Sequence, residues 1–200
     1  AAYAARYRSL VEKARDAERN RCNGLSGLAD AVARYYFKLL AYKDEYEVAR
    51  LYTSDEFRRQ VEATFEGDYT LRFNLAPPLL SRVDPATGRP QKREYGAWMM
   101  GGFRLLAKLK GLRGTALDVF GYSEDRKLER RLIAEYEARI AEILERLDPV
   151  THAAAVELAS LPEHVRGFGP VKVEHLKKLQ PREQELLAQL RGETARPAAA

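Results

Sequence analysis

Arg166-Gly167-Phe168-Gly169-Pro170-Val171-Lys172 is the string in this chain best suited to chemistry. Glycine-rich backbone just ahead of a helix leaves N–H groups unpaired, and the helix dipole adds positive potential, so such a turn can hold an anion. Arg166 and Lys172 would add charge, and Gly167 and Gly169 would let the backbone approach closely. These four residues are the candidate anion-binding set. A tight structural turn is the plainer reading of the same string. It is not a dinucleotide fingerprint, because Lys172 stands where the third glycine belongs and no strand precedes it.

Other chemistry-bearing residues are sparse. His152, His164 and His175 are not spaced as metal ligands and read as surface or capping residues. Cys22 is the single cysteine, so one chain makes neither a disulfide nor a cysteine-based cluster. Arg19 and Arg21 could favour its thiolate, but a helix-end cysteine without a role is the simpler reading. Glu66-Gly67-Asp68 looks like the start of a thiamine diphosphate motif. Tyr69 replaces the second glycine and Asn74 comes far too soon, so Gly67 is read as a helix stop. Gly111-Leu112-Arg113-Gly114 lacks the Lys-Ser/Thr of a P-loop. No catalytic residue is assigned.

The elements that position these residues are mostly helices. Periodicity and caps predict helices over 1–21, from Leu28 to about Ala41, around Tyr46–Leu51, and from Ser54 to Gly67 with Phe57, Val61 and Phe65 buried. Further helices carry an apolar stripe of Trp98, Phe103, Leu106 and Leu109, and a short segment from Thr115 to Gly121. The longest runs from Ser123 to about Arg146 and buries Leu128, Leu132, Tyr136, Ile140, Ile143 and Leu147. Its i,i+4 pairs are Glu135 with Arg139 and Glu142 with Arg146. Asp148-Pro149 opens a helix to about Ser160, and a last helix from Val171 should kink or restart at Pro181. Tyr35-Tyr36-Phe37 reads as core, and the charges of Asp44, Glu45, Glu47 and Arg50 read as a solvated face, with a buried ion pair as the alternative.

Between the two helical halves, Tyr69–Leu75 alternates like a strand. Leu79–Val83 and Gln91–Tyr95 flank Asp84-Pro85-Ala86-Thr87-Gly88 as a β-hairpin. The expected fold is therefore mainly α: a bundle of about seven to eight helices with one β-hairpin inserted near 69–95. Residues 1–22 read as a lead-in amphipathic helix, 23–192 as one helical domain and 193–200 as a disordered tail.

The chain has 200 residues and a net charge of +5, with 34 basic and 29 acidic residues interspersed. That balance argues against a nucleic-acid binder, which concentrates basic charge on one face. The richest basic stretches are Arg6–Arg21 and Lys108–Arg113. No run has the ~18 apolar residues that span a membrane. The N-terminal stretch lacks a signal core, so a cytoplasmic location without a membrane partner is expected. The chain begins at Ala1 without an initiator Met, which suggests a piece of a longer polypeptide.

The strings YYFKLLAYKDEYEVARLY, FEGDYTLRFNLAPPLL, DPATGRPQKREYG, FRLLAKLKGLRGTALDVFGY and LPEHVRGFGPVK, in that order, resemble the C-terminal region of the indolepyruvate ferredoxin oxidoreductase family over about residues 28–190. The resemblance implies an enzyme that oxidatively decarboxylates 2-oxoacids of the arylpyruvate type. Such enzymes use thiamine diphosphate, [4Fe–4S] clusters, coenzyme A as acyl acceptor and ferredoxin as electron acceptor. It also implies that the motifs for thiamine diphosphate and clusters lie in other regions, so no cofactor is assigned to this segment. The expected role is a non-catalytic accessory domain that packs against other domains or subunits of the same oxidoreductase. The alternative is a basic helical module that docks an acidic partner such as ferredoxin.

Overall fold

The computed structural model describes residues 2–76, 84 and 91–193. It is mainly α, with eight α-helices and one two-stranded antiparallel hairpin among those residues. In chain order these are α1 (Ala2–Arg21), α2 (Leu28–Leu40), α3 (Glu45–Tyr52), α4 (Asp55–Thr64), β1 (Phe73–Leu75), β2 (Arg93–Tyr95), α5 (Met99–Lys108), α6 (Glu124–Arg146), α7 (His152–Ser160) and α8 (Pro170–Arg191). The chain divides into two compact units: Ala1–Tyr42 with Leu128–Ala200, and Lys43–Lys127.

The first unit has the large core. Leu28, Val32, Tyr35, Leu39 and Leu40 are all buried on α2, as their spacing predicts. They meet Val11 and Ala14 of α1, Tyr136, Ile140 and Ile143 of α6, and Leu158 of α7. The lead-in helix is thus part of the core. Each fully buried Leu, Ile or Val contributes about 1.5–3 kcal/mol. Tyr36 lies between Tyr7 and Tyr136, with ring centroids 6.0 and 5.9 Å away and nearly parallel planes. Its hydroxyl donates to Glu137, which also takes a bidentate contact from Arg6. Phe37, on the other side of α2, is exposed rather than core.

Several ends follow their signals. Asn23 and Gly24 adopt positive φ at the end of α1, and the Ser54 hydroxyl accepts from Phe57 N–H to cap α4. Others differ. Asp148 Oδ1 takes the N–H groups of Val150 and Thr151 in a turn of its own, so α7 starts at His152. Thr115–Gly121 forms turns instead of a helix, because the Asp118 carboxylate captures the N–H groups of Gly114 and Gly121. α8 continues through Pro181 without restarting; one lost donor is offset by apolar packing of Leu179 before it and Leu186 and Leu190 after it. Arg139 reaches across to Glu183 of α8 rather than along α6 to Glu135, which pairs with Arg131. Glu142 does meet Arg146, and also Arg191.

The second unit has a small core of Ala49, Phe73 and Phe103, with Tyr52 stacked on Phe103 and edge-on to Phe73. β2 pairs with β1, in the register Phe73–Tyr95, Asn74–Glu94 and Leu75–Arg93. The strand expected to partner it, Leu79–Val83, lies outside the described residues, as do the loop residues Pro85–Gly88 and the tail 194–200. No residue of α4 is buried: Phe57 and Val61 are half covered and Phe65 is exposed. The stripe expected on α5 also splits. Trp98 and Phe103 are five residues apart, about 140° around a helix, so burying Phe103 turns Trp98 outward.

Glu18 ties three helices together. Its buried carboxylate accepts from Leu28 N–H (2.6 Å) and Ala29 N–H (3.1 Å) at the start of α2, and meets His152 Nε2 at 2.8 Å at the start of α7. Burial raises its pKa, but the bonds from His152 and the two amides outweigh that and leave it below the usual carboxylate value. Glu18→Ala orphans buried donors and should cost about 2–3 kcal/mol in urea unfolding. Because the folded value is depressed, the stabilisation is full above the unfolded value of about 4.3 and is lost as pH falls through the folded one. Glu18→Gln should therefore flatten the acid limb of the stability profile.

Candidate functional site

The Arg166–Lys172 turn holds all four predicted residues in one place, at the start of α8. Gly169 precedes the helix with φ +54°, and Pro170 occupies the first helical position. Gly167 has φ +83°, and a Cβ there would lie 2.8 Å from Val171 Cγ1. Backbone strain and close packing therefore both require glycine at 167. Lys172 is already committed. Its ammonium contacts the buried carboxylate of Glu129 and sits 5.8 Å from the centre of the exposed Phe168 ring. The backbone of Arg166 faces His175 Nδ1, with N at 3.2 Å and O at 3.0 Å.

A further cation that the sequence did not single out belongs to the same neighbourhood. Lys38 of α2 donates to Pro162 O (2.7 Å) and Glu163 O (3.0 Å). Burial lowers its pKa, and Arg166 and Lys172 lower it further while Glu163 opposes them. Positive charge thus gathers from Lys38, Arg166 and Lys172, against Glu129 and Glu163. The periodicity of α2 marks Lys38 only as a polar position. Nothing in its own sequence points to a turn more than 120 residues away.

The KDEYEVAR segment is not the solvated face it reads as. Asp44 is buried, caps α3 through Glu47 N–H, and meets Arg113 Nε at 2.5 Å. Burial pushes the Glu45 carboxyl above its usual value, with Arg126 3.9 Å away partly offsetting this. Asp118, also buried, accepts from Tyr46 O–H, Gly114 N–H and Gly121 N–H. Only Glu47 and Arg50 remain a surface pair. These buried charges fasten the 113–121 loop to α3. They also explain Gly121, where a Cβ would lie 2.7 Å from Asp118 Oδ2.

His152 is buried rather than on the surface. Cys22 is buried as well, and burial, Glu18 and Asp148 push its thiol up, which overrides Arg21 and disfavours a thiolate. Among the described residues, no three His, Cys, Asp or Glu side chains are placed to hold a metal ion. A [4Fe–4S] cluster takes four thiolates, and this chain has one cysteine, so its residues do not fit such a cluster. Among the described residues no helix is long and apolar enough to cross a membrane. A groove of about 240 Å³ in the second unit runs between Phe57 and Val61 of α4, Tyr52, Tyr69, and Met100 and Arg104 of α5.

Two stability measurements separate fastening from binding. Lys172→Glu sets a second carboxylate against buried Glu129 and should cost about 3–5 kcal/mol, whereas Arg166→Ala at the exposed position should change stability by less than about 0.5 kcal/mol. Arg166→Ala is therefore the substitution that isolates any anion binding. Gly121→Ala, which displaces a carboxylate held by three hydrogen bonds, should cost about 1–3 kcal/mol.

Neither a curated protein nor a solved structure matches this chain. One family does, over residues 1–185, and its description is a family of unknown function. With that match spanning nearly the whole sequence, the chain belongs to the DUF6537 family.

Proposed function

We propose that the chain is a non-catalytic accessory domain of an indolepyruvate-type 2-oxoacid:ferredoxin oxidoreductase. The parent reaction is oxidative decarboxylation of a 2-oxoacid to an acyl-CoA, with electrons passed to ferredoxin. Thiamine diphosphate and iron–sulfur clusters, held by other regions, supply the carbanion and electron chemistry. The ordered strings described above suggest the parent enzyme. The single buried, unpaired cysteine suits a reducing compartment, and the proposal includes a cytoplasmic location.

The observation that carries the accessory role is the contrast between the two units. Among the described residues the first buries a continuous core of 22 residues, whereas the second buries four apolar side chains, Tyr46, Ala49, Phe73 and Phe103. Yet the second unit leaves Phe65, Trp98, Leu105, Leu117, Val119 and Tyr122 exposed. Exposed apolar side chains that gather into a patch mark an interaction site, and these are read as one. In this reading the first unit is a self-supporting bundle, and the second completes its packing on neighbouring domains or subunits of the oxidoreductase. The Arg166–Lys172 turn with Lys38 is the one place where this segment would meet an anion such as a phosphate of coenzyme A.

The test is an assay of the complete polypeptide and of the 200-residue chain alone for coenzyme A-dependent reduction of ferredoxin by aryl and alkyl 2-oxoacids. Turnover should be found in the complete polypeptide only. Turnover by the isolated chain, or none by the complete polypeptide with any 2-oxoacid, contradicts the reading.

A further inference from the structure

From Gly96 to Leu117 the chain has four basic residues, Arg104, Lys108, Lys110 and Arg113, and no acidic one. α5 lies inside this stretch and is apolar on two sides. At about 100° per residue, Met99, Met100, Phe103, Leu106 and Ala107 share the inner side, where they form the small core of the second unit. Trp98, Gly101, Gly102, Leu105 and Leu109 share the opposite side. There Trp98 is 70% exposed, Leu105 62% and Leu109 39%. Trp98 is not loose: its ring packs edge-on against Tyr95, centroids 6.0 Å apart.

The two glycines between the large side chains give this side its shape. Neither has positive φ, so neither is required by the backbone. A Cβ on Gly101 would meet no atom within 4 Å. Glycine inside a helix costs about 0.5–1 kcal/mol relative to alanine, and nothing within the chain compensates for it at 101. What the pair does create is a flat saddle between Trp98 and Leu105, low enough for another backbone to approach. Arg104 and Lys108, four residues apart, line one edge of the saddle. Neither they nor Lys110 form a salt bridge among the described residues, whereas Arg113 is taken by Asp44.

We infer that the outer side of α5 is the seat for an acidic amphipathic helix of a partner protein or neighbouring domain. Its apolar stripe would lie between Trp98 and Leu105 and its carboxylates would face Arg104 and Lys108. Charge decides the choice of occupant. A second copy of this chain would bring the same acid-free basic stretch and be repelled, while an acidic helix gains along the Arg104–Lys108 edge. This deepens the accessory-domain reading and rests on it for the existence of a partner. Its test involves no 2-oxoacid turnover, so the two can fail separately.

Trp98 is the sole tryptophan, so its emission reports on this site alone. The 200-residue chain is titrated with an amphipathic helical peptide of Leu and Glu, with its Leu and Lys counterpart, and with phosphatidylglycerol vesicles. The acidic peptide should move Trp98 emission to shorter wavelength, and added salt should reverse the shift. The basic peptide and the vesicles should leave it in place. Leu105→Glu should abolish the shift, and Lys108→Glu should weaken binding at least about tenfold. Both are exposed positions, so melting curves should match the parent chain. No shift with the acidic peptide, an equal shift with both peptides, or a shift with vesicles alone overturns the inference.

Discussion

The contact on which the first unit depends is a buried carboxylate. Glu18 stands near the end of α1 and takes over the capping of α2, whose own N-cap, Gly27, has no side chain to do it. The same carboxylate meets His152 at the start of α7. A charge buried this far is unfavourable unless its partners are all in place. Here two backbone amides and an imidazole supply them, so three helix ends must arrive together. Once α1, α2 and α7 are fixed, the stacked tyrosines and the buried stripe of α6 have a defined groove to fill.

The second unit is built on a different balance. Its four buried apolar side chains among the described residues contribute little, and buried charge–amide contacts around Asp44 and Asp118 do much of the fastening. Such contacts give definite geometry more than they give stability, since their desolvation cost offsets most of the attraction. The apolar residues that would ordinarily enlarge the core point outward instead. Within one unit, α5 spends one side on Phe103 and presents the other, with Trp98 and Leu105, to whatever lies outside.

How far the sequence reveals this follows from the same physics. The mainly α fold with an inserted hairpin, the helix ends at Asn23-Gly24 and Ser54, and the buried side of α2 were all readable, because periodicity and caps are local signals. The partner of β2 was not, because alternation identifies a strand and not its neighbour. The buried side of α5 was misread where Trp98 and Phe103 were placed on one stripe; hydrophobicity alone cannot say which of two apolar sides faces inward. Asp44, read first as part of a solvated face, and His152, read as a surface or capping residue, are buried for a related reason. Their burial is set by Arg113 and Glu18, both remote in sequence. In the Arg166–Lys172 turn the four candidate residues are neighbours in sequence, whereas the commitment of Lys172 to Glu129 and the arrival of Lys38 depend on tertiary packing.

The central claim is that one half of this chain is complete in itself and the other is completed by something else. Amide hydrogen exchange tests it most directly, measured on the isolated chain and on the complete polypeptide of the proposed parent oxidoreductase. Local protection reports how firmly each segment is packed. The account predicts equal protection of α1, α2, α6 and α7 in both samples, and a marked gain in α4 and α5 in the complete polypeptide. Equal protection of α4 and α5 in the two samples would contradict it.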